Sequence, residues 1–63
     1  MSEYQDRVIE EETELSIKID KLDKFRGTDT YGSLDKEDQV LMDLQLLYMK
    51  AYRDVLSRRI IRF

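Results

Sequence analysis

The fold of this chain is decided by residues 40–49, VLMDLQLLYM, a run in which only Asp43 and Gln45 are polar. The run lies within a longer segment, from about residue 35 to residue 62, that contains neither proline nor glycine. Helical spacing of its apolar residues predicts one long α-helix whose apolar surface is wider than a single neighbouring helix covers. The apolar residues are Val40, Leu41, Leu44, Leu47, Tyr48, Ala51, Tyr52, Val55, Leu56 and Ile60, with Met42, Leu46 and Met49 extending the surface further around the helix.

A first helix is predicted for about residues 2–26. Ser2 is suited to cap it, with Gln5 completing a capping-box pattern, and Gly27 is expected to end it in the left-handed conformation. Its apolar stripe has helical spacing and consists of Tyr4, Val8, Leu15, Ile19, Leu22 and either Phe25 or Arg26, with Ile9 and Ile17 lying off it. Where the stripe should continue between Val8 and Leu15, the chain has Glu11 and Glu12, so we expect a carboxylate at the seam or its edge.

Residues 27–34 form the only predicted linker, which has the usual length of a connection between two helices. Either Ser33 or Asp35 is suited to cap the second helix, predicted for about residues 35–62. Residues 1–14 carry six acids against Arg7, a net charge of −5, and residues 50–63 carry five bases against Asp54, a net charge of +4. This opposition favours an antiparallel pair of helices. The fold class is therefore all-α, a single helical-hairpin domain spanning residues 1–63.

The size of the chain predicts association between copies. A domain of 63 residues has a marginal core, and the absence of cysteine and histidine removes disulfides and the usual zinc sites as sources of stability. We therefore expect a homo-oligomer, a dimer or higher, for which a four-helix bundle is the simplest arrangement. The expected interface consists of Val40, Leu41, Leu44, Leu47, Tyr48, Ala51 and Val55.

The composition also disfavours several classes of function. A net charge of −3 disfavours binding along long nucleic acids, and no apolar run is long enough to span a membrane. Because the N-terminus lacks the layout of a signal peptide, we expect a cytoplasmic protein. Without an imidazole or a thiol we expect no catalytic residue, no cofactor and no metal site, since the carboxylates of residues 10–14 fan out around a helix.

Basic and aromatic residues near the C-terminus suggest a ligand site. A guanidinium beside an aromatic ring can hold a phosphate and stack on a base. The candidate ligand-binding residues are Arg58, Arg59, Arg62, Tyr52, Tyr48 and Lys50, with Arg53 behind them. The alternative is that the arginines pair with the acids of the first helix and that the tyrosines are core or interface residues. The sequence leaves both interpretations open.

Residues along nearly the whole chain resemble a family of small, uncharacterised phage proteins named after a crAss-like phage. They are Tyr4-Gln5-Asp6-Arg7-Val8, Glu12, Leu15, Lys18-Ile19, Lys21-Leu22, Phe25, Leu34, Glu37-Asp38-Gln39, Leu41, Gln45, Met49, Tyr52, Leu56 and Arg59-Ile60. Members of that family often have a proline after the loop leucine and a Gly-Glu-Arg ending, where this chain has Asp35 and Ser57-Arg58-Arg59. The resemblance implies a viral protein acting in the cytoplasm of an infected bacterium.

The layout is also similar to the hairpin domain of phage sponges that block CBASS and Thoeris defence. That similarity implies an anti-defence protein that sequesters a cyclic oligonucleotide or an ADP-ribose-derived signal as an oligomer. The alternative function is a non-enzymatic protein-interaction module that inhibits or adapts a host protein, with an acidic mimic of DNA as one variant of it. An enzyme is the least favoured of the three classes.

Overall fold

A computed structural model describes residues 2–63, so that Met1 of the predicted domain lies outside the described range. The chain forms three helices, α1 (Glu3–Phe25), α2 (Asp29–Gly32) and α3 (Lys36–Ile61). Helices α1 and α3 pack against each other in antiparallel orientation within an elongated body of 46 × 14 × 13 Å. The described residues contain no strand. The predicted all-α hairpin is confirmed, whereas its assembly into an oligomer stays a prediction.

The N-terminus of α1 has the predicted capping box. The Gln5 amide donates to the Ser2 hydroxyl at 3.2 Å, and the Gln5 side-chain oxygen accepts from the Ser2 amide at 3.1 Å. Glu3 and Asp6 lie in the first turn, where carboxylates interact favourably with the positive end of the helix dipole. The start of the first helix could therefore be read from four consecutive residues.

The end of α1 differs from the prediction. No residue among 2–63 has a positive φ, so the left-handed cap expected at Gly27 was wrong. The last turn instead tightens, with the Gly27 amide donating to the Lys24 carbonyl and the Thr28 amide donating to the Phe25 carbonyl. The linker is also not wholly irregular, because Thr28 caps the one-turn helix α2 by accepting from the Tyr31 amide. A right-handed turn thus follows directly, and no left-handed residue is required.

The two candidate caps of α3 have different roles. Asp35 occupies the capping position, although its side chain makes no capping hydrogen bond. The Ser33 hydroxyl donates to the Thr30 carbonyl at 2.8 Å and thereby closes the end of α2. The second long helix therefore starts close to the predicted residue.

The core is a single seam between α1 and α3. Its buried residues are Val8, Leu15 and Ile19 from α1 and Leu46 and Leu56 from α3, with Leu22, Met49 and Ile60 packed against them. Glu12 is half-buried in the gap of the α1 stripe, as the pattern predicted, and accepts a hydrogen bond from the Ser16 hydroxyl at 3.1 Å. Arg53 is half-buried between Met49 and Leu56 on α3, so both helices carry one ionisable residue in the middle of the seam.

The side of α3 that faces α1 includes two residues to which the sequence analysis gave only a minor part. Leu46 and Met49 were expected only to extend the apolar surface, but they lie in the seam. Leu41, Leu44 and Val55 are exposed instead. The apolar surface that α1 leaves uncovered therefore lies on the far side of α3.

Asp43 of α3 accepts hydrogen bonds that connect α3 to the end of α1 and to the loop. Its Oδ1 accepts from Arg26 Nε at 2.7 Å and from the Tyr31 hydroxyl at 2.8 Å. The Gln39 side-chain amide donates to the Tyr31 carbonyl at 2.9 Å, and the Tyr31 ring packs edge-on against Phe25. The hydrogen bond to Asp43 raises the pKa of Tyr31 above its ordinary 10.0, so the stability it contributes is present below pH 10.0 and is lost as the pH rises through the raised pKa.

Leu56→Ala is expected to lower the free energy of unfolding by about 2–5 kcal/mol, because it leaves a cavity at a fully buried position. The matched control is Ile17→Ala on α1, whose side chain is 51% exposed and should cost less than about 0.5 kcal/mol. Urea titrations at one fixed protein concentration measure both values. Equal losses in the two variants would contradict the assignment of the seam.

Asp43→Asn is expected to lower the urea midpoint, because the neutral amide oxygen is a weaker acceptor for both Arg26 and Tyr31. Asp54→Asn is the matched control, since Asp54 makes one exposed ion pair within its own helix, with Arg58. Above the raised pKa of Tyr31, the difference between Asp43→Asn and the unmodified protein should shrink. An unchanged midpoint in Asp43→Asn at neutral pH would show that the loop network adds no stability.

Candidate functional site

The face of α3 turned away from α1 carries a regular row of exposed residues, which we call the outer stripe. Successive members are four or three residues apart and therefore lie along one line of the helix. The outer stripe consists of Glu37, Leu41, Leu44, Tyr48, Ala51, Val55, Arg58 and Arg62. Since each residue turns an α-helix by about 100°, the outer stripe and the seam lie on nearly opposite sides of α3.

All seven residues of the predicted oligomer interface are exposed on the hairpin: Val40, Leu41, Leu44, Leu47, Tyr48, Ala51 and Val55. The most exposed of the large ones are Tyr48, at 65%, and Leu47, at 58%. Contiguous apolar surface of this kind marks interaction sites on soluble proteins. Their position on the surface is compatible with the predicted interface, which stays a prediction.

An open groove of about 590 Å³ lies along the edge of the outer stripe. It is lined by Leu41, Leu44, Gln45, Tyr48, Met49 and Tyr52. These residues form two rows of helical neighbours four apart, and Gln45 contributes the only side-chain amide. Tyr48 and Tyr52 are one turn apart in this groove, so two exposed aromatic rings are available for stacking.

The C-terminal arginines have three different environments. Arg58 Nε pairs with Asp54 Oδ2 one turn earlier at 3.1 Å, and Arg62 caps the exposed end of α3. Arg59 donates a hydrogen bond to the Tyr4 hydroxyl, and its guanidinium carbon lies 5.7 Å from the centre of the Tyr4 ring. The Tyr4 ring also contacts Phe63, with 6.1 Å between ring centres. Helix α1 thus offers an aromatic ring to Arg59, where the sequence had suggested an acidic partner.

Lys50 lies apart from the other candidate ligand-binding residues. It lines a smaller pocket of about 190 Å³ with Arg26, Asp43, Leu46 and Leu47. Because Lys50 is two residues from both Tyr48 and Tyr52, it is turned about 160° away from each of them. The structure therefore places Tyr48, Tyr52, Arg59 and Arg62 towards one side of α3 and Lys50 on another, with Arg58 between the two.

Two basic residues near the groove were not among the candidate ligand-binding residues that the sequence suggested. Lys18 and Lys21 of α1 line a second groove of about 440 Å³ with Leu22, Phe25, Met42, Gln45 and Met49. Gln45 and Met49 line both grooves, which are therefore contiguous. The sequence showed the helical spacing of Lys18, Leu22 and Phe25, but only the packing of α1 against α3 shows which residues of α3 lie beside them.

Two further features of the described residues bear on the type of site. Among residues 2–63 no group of three or more acidic side chains is arranged to hold a metal ion. Within the same range no helix is both long enough and apolar enough to cross a membrane.

A family model and a phage protein each match almost the full length of the chain. The model of a family called Sequestin matches residues 2–62. An uncharacterised 7.5 kDa protein from the denB-rIIB intergenic region of Enterobacteria phage T4 is 36% identical over 63 residues, which cover 100% of this chain and 98% of the phage protein. No solved structure matches. These matches support a small phage protein family, as the resemblance implied, whereas the naming of that family after a crAss-like phage stays a prediction.

Proposed function

Because the chain belongs to the Sequestin family, we propose that it is a phage anti-defence protein that binds and sequesters a nucleotide-derived immune signal. The signal would be a cyclic oligonucleotide or an ADP-ribose derivative, held by a homo-oligomer without chemical conversion. The family name hints at sequestering, and the T4 relative supports a phage origin. The class of ligand is the one that the resemblance in layout to phage sponges implies.

The observation that carries this proposal is the combination of exposed aromatic rings and nearby cations on one hairpin. Tyr48 and Tyr52 line the same groove, and Arg59 follows Tyr52 by two turns, about 10 Å along the helix. Arg62 extends the basic end by a further turn. A base stacked on a tyrosine and a phosphate near the arginines would satisfy both the aromatic and the ionic parts of such a ligand.

The C-terminal arginines differ in mobility, and this difference suits two tasks in ligand binding. Arg59 is held against the Tyr4 ring, which fixes the direction of its guanidinium and reduces the conformational entropy lost when a phosphate binds. Arg58 and Arg62 are exposed and can turn towards an anion. Because a guanidinium donates two parallel hydrogen bonds to phosphate oxygens, these residues favour a phosphorylated ligand over a neutral one.

The openness of the groove supports the oligomeric part of the proposal. Sites for small ligands usually bury about 70–90% of the ligand surface, which an open groove on a thin two-helix body does not achieve. A second copy packed against the outer stripe would add the missing wall, since Leu41, Leu44 and Tyr48 belong to both the outer stripe and the groove. We accordingly propose a homo-oligomer in the host cytoplasm, where the signal is made.

Thermal-shift measurements with a panel of cyclic oligonucleotides and cyclic ADP-ribose isomers test the proposal. We expect one ligand class to raise the melting temperature, with the affinity falling at least tenfold in Arg62→Ala and in Tyr52→Leu. Lys50→Ala is the matched control, because it removes the same charge from another face of α3 and should bind normally. Lys21→Ala tests whether the second groove contributes to phosphate binding.

The variants that lose affinity for the ligand show whether it binds at the groove and the basic end of α3. A ligand that binds equally well to Arg62→Ala, Tyr52→Leu and Lys50→Ala would show that these residues do not form the site. Recovery of the ligand unchanged after heat denaturation of the complex is expected of sequestration, whereas a chemically altered product would contradict it. Absence of a shift across the whole panel would overturn the proposed ligand class.

The second candidate function is a protein-interaction module that inhibits or adapts a host protein. The observation in its favour is the nearly apolar lining of the groove, in which Gln45 is the one side-chain amide. Surfaces of this type bind the apolar face of an amphipathic partner helix. Capture of one host protein in equal amounts, lost in Tyr48→Asp and retained in Arg62→Ala, would support this function. Capture that depends on Arg62 and not on Tyr48 would contradict it.

A further inference from the structure

The two ends of the outer stripe have opposite charges. Glu37 precedes the apolar part of the stripe by one turn, and Arg58 and Arg62 follow Val55 at the same helical spacing. Between them the stripe is uninterrupted by charge, since its members are Leu41, Leu44, Tyr48, Ala51 and Val55. The stripe is therefore an apolar line of about four turns with an acid at one end and two bases at the other.

We propose that the outer stripe binds the outer stripe of a second copy of this chain in antiparallel orientation. The proposal rests on the homo-oligomer of the proposed function and adds both the surface used and its direction. The same surface would serve in both copies, which is the isologous contact of a two-fold dimer. The two-fold axis would pass near Tyr48, the midpoint of the apolar part of the stripe.

Charge complementarity favours the antiparallel over the parallel orientation of the two α3 helices. In a parallel pair, Glu37 would lie beside Glu37 of the second copy, and Arg62 would lie beside Arg62. In an antiparallel pair, Glu37 of each copy lies beside Arg58 and Arg62 of the other, so that repulsion at both ends is replaced by attraction. The dipoles of the two α3 helices are also opposed in this arrangement, which favours it further.

The remaining charges of α3 do not oppose this contact. Four of them, Lys36, Asp43, Lys50 and Asp54, lie between the seam and the outer stripe on the side of α3 away from the groove. Arg53 lies in the seam, and Asp38 and Arg59 lie on the groove side near the two ends of the stripe, outside its apolar centre. Two of the first four already have partners within the hairpin, since Asp43 pairs with Arg26 and Asp54 pairs with Arg58. Burial of the apolar part of the stripe therefore requires no charged side chain to lose its water at the centre of the contact.

The antiparallel pair also completes the groove. Leu41, Leu44 and Tyr48 contribute to both surfaces, so α3 of the second copy runs along the open side of the groove. The basic end of each copy then lies beside the first turn of α3 in the other copy. A ligand in the groove would thus contact both chains, and the dimer would hold two equivalent sites.

Cysteine cross-linking tests the direction without any ligand, and the natural chain contains no cysteine that would interfere. Leu41→Cys and Val55→Cys both lie on the outer stripe, 14 residues and hence about 21 Å apart along α3. Each variant alone, and an equimolar mixture of the two after exchange of subunits, is treated with a bis-maleimide that spans the about 8–10 Å between packed helices. Intact mass separates the mixed product from the two products with identical chains.

An antiparallel dimer is expected to give a mixed Leu41→Cys and Val55→Cys product at least tenfold more abundant than either product with identical chains. Products with identical chains as abundant as the mixed one would overturn the direction. Ile17→Cys on the outer side of α1 is the control, and cross-linking of this variant to the level of the mixture would overturn the assignment of the surface.

Absence of any cross-linked product from chains that circular dichroism shows to be helical would overturn the dimer itself. That result would leave the ligand measurements on the unmodified protein unaffected, so failure of the dimer and failure of the proposed ligand class are distinguishable. A larger assembly that contains the antiparallel pair would give the same mixed product and would support the proposal.

Discussion

Helix α3 is apolar on two nearly opposite sides, and the hairpin supplies a neighbour for only one of them. Leu46 and Leu56 are buried against α1, whereas Tyr48 and Val55 remain exposed on the other side. Within residues 2–63, α1 is the one other long helix available to pack on α3. The rest of the structure follows from this constraint, because the surface left uncovered is also the surface on which the groove and the basic end lie.

The seam itself is narrow, which explains why the chain is expected to need further contacts. Among residues 2–63 only five side chains are buried, and the fully buried one, Leu56, lies near the open end of the hairpin. Glu12 and Arg53 interrupt the apolar seam midway along both helices. A core of this size supplies little stability against the entropy of the unfolded chain. Association through the outer stripe would bury apolar surface that the monomer leaves in water, and it would do so without changing the hairpin.

The two ends of the hairpin are held by different interactions. At the loop end, Asp43 joins Arg26 and Tyr31 through directed hydrogen bonds, which fixes α1 and α3 relative to α2. At the open end, Arg59 packs on the Tyr4 ring, in a contact that orients a cation while leaving it near the surface. The first arrangement serves the fold. The second suits anion binding, because a guanidinium on an aromatic face keeps donors available for a further partner.

The sequence by itself determined the class of fold and the bounds of the two long helices to within one residue or two, but it did not predict the one-turn helix α2. Ser2 with Gln5 defined the first helix start, and the spacing of Val8, Leu15 and Ile19 identified the face of α1 that is buried. Such local signals suffice because capping and helical periodicity depend on residues at most four apart in the chain. The end of α1 could not be predicted correctly, since Gly27 permits a left-handed turn but does not require one.

Tertiary structure alone decided which side of α3 meets α1 and which candidate ligand residues lie together. Both sides of α3 are apolar at helical spacing, and although the row containing Tyr48 was assigned to the contact between copies, periodicity did not show that Leu46 and Met49 face α1. The choice depends on which side chains interdigitate with α1 across the seam, a property of two distant segments. The same packing placed Arg59 on Tyr4 and brought Lys18 and Lys21 beside the groove. Contacts between segments more than 20 residues apart leave no periodic signal in either segment, which is why the fold could be predicted from the sequence and the arrangement of the site could not.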